Sequence, residues 1–485
     1  MKLPFFLIPW FTSCSVGHEA VAFNSTSTDL PFYLDNSNGD LPASASQAAA
    51  ALQPAHPSLS SNLDMELDTF LSTLQNDDVA AVSAASKLPP MAGPCNLTAC
   101  RLPHCYCDAT NIPDGLPLNN TPQFILVAFD GAINMHNYDL YQQIFHQDRK
   151  NPNGCPIRAT FFLSHRWTDY SHVQNLYAMG HEIALRGVAL TGDEANATYE
   201  NFAEDIVALQ QIAKNFADVR PEDVVGMRAP YLKTEGDDQF LAAYDSKLLY
   251  DTSILNPSVK PLWPFTLDYA LPFTCPPWAP RCPLLSYPGL WEIPVTRLIG
   301  PAGVPYGFYT AYEFSKNPIE IAQVLMKFLQ GHYTSNRAPL TLNGLSYWLA
   351  TAEYRLGFEL FLEQALQLPD VWFVTSSQLI HWMQRPAGLD SINDFEALQC
   401  PAEHRRPDVD LCQTPRSCKT YLEGEEIYFA TCRRCPFTFP WTGNYNGCFN
   451  DPCPTPVVEY IDTADSNTLH ALFLLFSLLI TIAHY

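Results

Sequence analysis

Apolar positions follow two rhythms along the middle of the chain. Unbroken runs, Phe124-Ile125-Leu126-Val127 leading to an acid and Ile183-Ala184-Leu185 leading to an arginine, read as strands buried on both faces. Stripes recurring every three to four positions over 203–216 and 319–329 predict amphipathic helices between such strands. Strands alternating with helices predict an α/β protein, and folds of that class place working residues just past strand C-termini. Residues 21–92 keep neither rhythm: Ser, Ala, Asn, Asp and Leu dominate, with ASASQAAAAL at 43–52, and a disordered stalk with a short helix near Leu63–Leu74 is expected.

Both ends are apolar without either period. MKLPFFLIPWFTSCSVGHEA, with one early lysine and small residues after the apolar stretch, predicts a secretory signal peptide over 1–20. LHALFLLFSLLITIAHY at 469–485 follows small and polar residues beginning at Ala464. It reads as a removed glycolipid-anchor signal over 464–485, with a retained membrane tail as the alternative. Either places the body of the protein outside the cell, tethered to the plasma membrane through this end alone.

Composition narrows the partners. A formal charge of −23 over 485 residues argues against nucleic acid and against anionic membrane surfaces. Of 15 cysteines, Cys14 falls in the signal peptide, leaving an even number suited to disulfides in an oxidising compartment. They gather at 93–120 (Cys95, Cys100, Cys105, Cys107) and at 389–463, where Cys432-x-x-Cys435 lacks the βαβ surroundings of a redox motif. Aromatics crowd the second cluster, as a polysaccharide grip or as the core of a small disulfide-rich module. Sequons at Asn24, Asn96, Asn119 and Asn196 are candidate glycosylation sites.

The segments FILVAFDGAIN (124–134), ATFFLSHRW (159–167), GHEIALRGVAL (180–190), VGMRAPY (225–231), LYDTSI (249–254) and WFVTSSQLIHWM (372–383) occur in that order. The series resembles the polysaccharide deacetylase family (carbohydrate esterase family 4, the NodB homology domain), nearest to animal chitin deacetylase-like proteins. The resemblance implies a distorted (β/α) barrel of the glycoside hydrolase/deacetylase type over 121–388, with disulfide-rich N- and C-terminal extensions. It further implies a zinc-dependent hydrolysis of N-acetyl groups from chitin or a related amino-sugar polysaccharide. Carried over by position, the family's base is Asp130 and its supporting arginine is Arg228, with Tyr231 and Trp348 as substrate-binding candidates. The metal positions fall on Gly131, Arg186 and Leu190, and the acid histidine falls on Leu345 in LTLNGLSYW.

Catalytic zinc needs about three N, O or S ligands and one open position. Gly131 and Leu190 offer no ligand atom, and Arg186 is a permanent cation. No cofactor is therefore expected, and Asp130 and Arg228 read as remnants of a lost activity. Arg186 either pairs with Asp130 in the metal's place or points to solvent. His136, His165 and His181 could rebuild a metal site, although the last two sit where structural histidines are common. Three functions stay open: a non-catalytic glycan binder, an amide hydrolase with a rearranged site, and a surface scaffold for another protein.

Overall fold

A computed structural model of the chain describes residues 88–192, 197–275, 281–403 and 405–448. The expected signal peptide, nearly all of the stalk, the C-terminal tail, and the sequons Asn24 and Asn196 lie outside these residues.

The strands are β1 (Gln123–Gly131), β2 (Thr160–Ser164), β3 (Glu182–Gly187), β4 (Gly226–Met227), β5 (Tyr250–Asp251), β6 (Phe265–Leu267), β7 (Tyr287–Glu292), β8 (Leu298–Ile299), β9 (Pro305–Tyr306), β10 (Leu340–Leu345), β11 (Val371–Phe373), β12 (Arg416–Leu422) and β13 (Glu425–Thr431). The helices are α1 (Tyr138–Ile144), α2 (Tyr170–Ala178), α3 (Tyr199–Ala217), α4 (Asp237–Asp245), α5 (Pro318–Tyr333), α6 (Ala352–Ala365) and α7 (Ser376–Gln384). Nine strands form one sheet in the order β10-β1-β2-β3-β4-β5-β7-β6, with β11 on the first half of β1. All its pairings are parallel except β6 with β7.

The sheet curls, and its gap is bridged outside the ladder. Thr296, just past β7, and Thr341 on β10 exchange amide-to-hydroxyl hydrogen bonds of 2.7 and 2.9 Å. That closure makes the expected distorted barrel, complete in its curvature but not in its backbone ladder.

Two cores flank the sheet, as strand alternation requires. Phe124, Leu126, Ala128, Phe162, Ala184, Tyr250 and Trp291 pack together on its inner side. Ile125, Val127, Phe129, Phe161, Leu163, Ile183 and Leu185 pack outward under the helices. Continuing the inner set by twos reaches Asp130 on β1, Ser164 on β2 and Arg186 on β3, so one parity brings these polar groups to the barrel's mouth.

Among the described residues six disulfides pair Cys95–Cys107, Cys100–Cys105, Cys155–Cys400, Cys275–Cys282, Cys412–Cys432 and Cys418–Cys435, and Cys448 is also bridged. The cysteine-rich C-terminal segment is continuous with the barrel: Val409, Cys418, Ile427, Phe429 and Phe439 share the outer core. Its buried aromatics thus serve packing, while Tyr421, Tyr428 and Phe437 stay exposed.

Candidate functional site

The mouth of the barrel is built on one buried carboxylate. Asp130 ends the inward set of β1, where Leu345 on β10 is its backbone partner. Arg228, one residue past β4, donates from Nη1 to Asp130 Oδ1 at 2.7 Å. Two further donors are used on Asn343 Oδ1 at 2.7 Å and the Thr252 carbonyl at 3.1 Å. Phe162 lies 3.9 Å below the guanidinium, so the arginine is fixed on every side.

Arg186 faces the other carboxylate oxygen. Its Nε lies 3.9 Å from Asp130 Oδ2, too long for a hydrogen bond, and its Nη1 donates to Ser164 Oγ at 2.8 Å. Of the two readings of Arg186, the geometry selects pairing with Asp130 over pointing to solvent. Burial pushes the Asp130 carboxyl up from its ordinary range, and the charges of Arg228 and Arg186 pull it back down.

Zinc does not fit these residues. Arg186 fills the side of Asp130 that a cation would need, and Gly131 contributes no ligand. Gly131 also has φ +124°, a backbone that a side chain there would strain, although the space beside it is open. Leu190 turns into the outer core, its amide held by Asp205 Oδ2 at 3.2 Å. Among the described residues no three His, Cys, Asp or Glu side chains converge as a metal site.

The histidines that could have rebuilt one are engaged or remote. His165 is buried between Tyr170 Oη at 2.6 Å and the Pro440 carbonyl at 2.7 Å, and burial lowers it to about 4. His181 is buried with Nδ1 accepting from the Ala159 amide, and burial holds it well below its ordinary range. His136 is exposed on the loop after β1.

Around this floor the rim carries flat rings. Tyr231 is 66% exposed at φ +55°, and the Arg186 guanidinium lies 5.2 Å from its ring. Trp167 after β2 is 58% exposed at φ +70°, and Tyr347 after β10 is 63% exposed. Bulky residues rarely hold a left-handed backbone, so two rings presented that way mark a shaped rim. Trp348 is a correction. It is only 3% exposed, stacked on Tyr354 at 4.8 Å and edged by Tyr309 and Phe314, so it supports the rim rather than offering a face to a ligand. Trp167 and Tyr347 were the residues missed; an aromatic two or three positions past each strand end was the available signal.

No family model matches the chain. It is 36% identical over 379 residues to chitin deacetylase 1 of Bombyx mori, covering 74% of this chain and 69% of that protein. It is 32% identical over 390 residues to chitin deacetylase 8 of the same species, covering 77% and 98%. The chain belongs to the polysaccharide deacetylase family. Solved structures similar to it include a polysaccharide deacetylase-type protein of Mycobacterium smegmatis, at TM-score 0.39 and 15% identity over 57% of this chain and 95% of that one. That likeness adds nothing to the assignment, which rests on the sequence relatives.

A base hemmed by two cations is weakened as a proton acceptor, and the position of the family's acid histidine is Leu345, its backbone partner on β10.

Proposed function

We propose that this chain binds chitin or a related N-acetylated polysaccharide in the barrel mouth without hydrolysing it. One observation carries the reading: Arg186, a permanent cation standing at a metal-ligand position of the family, faces the Asp130 carboxylate with its Nε 3.9 Å from Oδ2. Nucleophile activation then has no source, and leaving-group protonation has none at Leu345. The exposed rings of Trp167, Tyr231 and Tyr347 support retained glycan contact, because flat aromatic faces match the apolar faces of sugar rings. The same reading places the protein outside the cell, glycosylated at exposed Asn96 and Asn119 and tethered by its C-terminal tail. Six closed disulfides favour such an oxidising compartment.

The test pairs zinc analysis and acetate release with binding to chitin oligomers, all on the secreted protein. Binding without zinc or acetate is the expected result. Bound zinc with acetate release would establish the rearranged hydrolase instead, and no binding to any amino-sugar polymer would leave only the protein scaffold.

A further inference from the structure

We propose that the C-terminal cysteine-rich segment is a clamp that positions Trp167 at the rim, and so belongs to the glycan-binding apparatus. The inference rests on the glycan reading above.

Five consecutive residues, 165–169, form the turn that follows β2, and three of them are gripped by the far end of the chain. His165 Nε2 meets the Pro440 carbonyl at 2.7 Å, and its ring stacks on Phe439 at 4.4 Å. Because burial keeps this histidine neutral near physiological pH, the contact is a fixed hydrogen bond rather than a titrating one. Arg166 pairs with Glu425 at the tip of the β12–β13 hairpin, and its guanidinium also lies 5.4 Å from the Trp167 ring. Asp169 precedes α2 as its N-cap residue, yet its side chain makes no bond to that helix. Its Oδ1 accepts instead from the Ala430 amide of β13 at 2.7 Å. An aspartate at an N-cap ordinarily serves its own helix, so this diversion shows that the hairpin contact has displaced local capping.

The residue left between these grips is Trp167, at φ +70° and mostly exposed. Among the described residues it is also tied by Asn134 Nδ2, from the loop after β1, which donates to its carbonyl at 3.1 Å. A bulky residue keeps a left-handed backbone only where its surroundings over-determine it. The clamp supplies that constraint, and the disulfides Cys412–Cys432 and Cys418–Cys435 stiffen the clamp itself. Asp169, Phe439 and Glu425 are positioning residues; Trp167 touches the ligand.

The experiment compares binding of chitin oligomers by the secreted protein and three variants, with hydrogen exchange at 165–169 as a second readout. Trp167→Ala weakens binding about thirtyfold, the loss of one aromatic anchor. Asp169→Ala and the pair Arg166→Met with Glu425→Gln weaken it about three- to tenfold, with faster exchange at 165–169 and an unchanged melting temperature. Exchanging the charges, Arg166→Glu with Glu425→Arg, restores binding towards the parent. If Trp167→Ala weakens binding while the clamp variants bind as the parent does, the clamp is refuted and the glycan reading stands. If Trp167→Ala binds as the parent does, the clamp positions nothing of use and is refuted while the glycan reading stands; if the parent itself binds no chitin oligomer, it is the glycan reading that fails. Should a clamp variant lose its fold, the milder Phe439→Leu, read by exchange and affinity together, decides the case.

Discussion

Two acidic sites lie at the mouth of the same barrel, equally hidden from water and neutralised in opposite ways. Asp130 keeps company with two guanidiniums, Arg228 hydrogen-bonded to one carboxylate oxygen and Arg186 facing the other across 3.9 Å. Asp251 and Glu292, at the ends of β5 and β7, have each other instead. Asp251 is held by Ser253 and by Gln239 Nε2 at 2.8 Å, whereas Glu292 takes only the Ile254 amide at 3.1 Å on one oxygen. Burial pushes Glu292 well above the usual carboxylate range, and the adjacent Asp251 charge pushes it further, which favours the protonated form beside Asp251. The lesson is that a buried charge can be answered with a cation or with a proton, and only the first answer survives at high pH.

The largest effect should come from removing the cation that Asp130 depends on. Arg228→Met strands the carboxylate and also orphans Asn343 Oδ1 and the Thr252 carbonyl. A loss of about 3–5 kcal/mol is expected in denaturant unfolding, as for other buried pairs broken on one side. Adding Asp130→Asn should return part of it, because the stranded charge goes with the substitution. A cost under about 1 kcal/mol would mean that the cation is dispensable and the contrast with Glu292 false.

Glu292→Gln sharpens the other half. A carboxyl whose folded pKa lies above its unfolded value binds more protons in the native state, so stability falls as pH rises between the two values. One such proton corresponds to about 1.4 kcal/mol per pH unit. The contribution is complete below the unfolded carboxylate range and is lost as pH climbs towards the raised folded value. Glutamine supplies a permanent N–H towards Asp251, so the variant should lose this slope and be as stable as the parent, or more so, at neutral pH. Urea midpoints collected from acid to neutral pH check it; an unchanged slope would place the titrating group elsewhere.

How much of this was legible beforehand follows the range of the interactions. The unbroken apolar run Phe124–Val127 leading to an acid is a local pattern, and it announced both the strand and the residue at its mouth. The family motifs likewise pointed to Arg228 and Arg186, which the structure places against Asp130, whereas Leu190 lies in the outer core. Trp348 misled because a rim turn packs it against Tyr354 on α6, a fact of tertiary packing that its motif does not encode. The grip of the C-terminal segment on 165–169 joins residues 275 apart in the chain, and no periodicity reports a contact of that span. The Glu292–Asp251 pairing was hidden for the same reason.

A third change would turn one kind of site into the other. Gly131→Asp sets a second acid beside Asp130, where open space would receive the side chain but φ +124° would not suit its backbone. Strain of about 1–3 kcal/mol is expected, measurable by thermal unfolding, and Gly131→Ala should show a similar cost without the added charge. If alanine is tolerated freely while aspartate is not, the penalty is electrostatic, and Asp130 cannot share its arginines.

The smallest effect belongs to Arg186→Met, and its pH dependence says most about why the arginine is there. Arg186 makes no direct hydrogen bond to Asp130, so its removal should cost only about 1 kcal/mol near neutrality. Without it, one of the two charges restraining the burial-raised Asp130 is gone, and the folded carboxyl moves further up. The variant's native state then holds a proton over a wider range, so its stability falls more steeply with pH than the parent's. The deficit should therefore widen in alkali and shrink in acid, where a protonated Asp130 no longer needs a second cation. A deficit constant with pH would show Arg186 to be packing alone, tied to Ser164 and Tyr231 but not to the carboxylate. Arg186 would then be no substitute for the family's metal, and the carboxylate would rest on Arg228 alone.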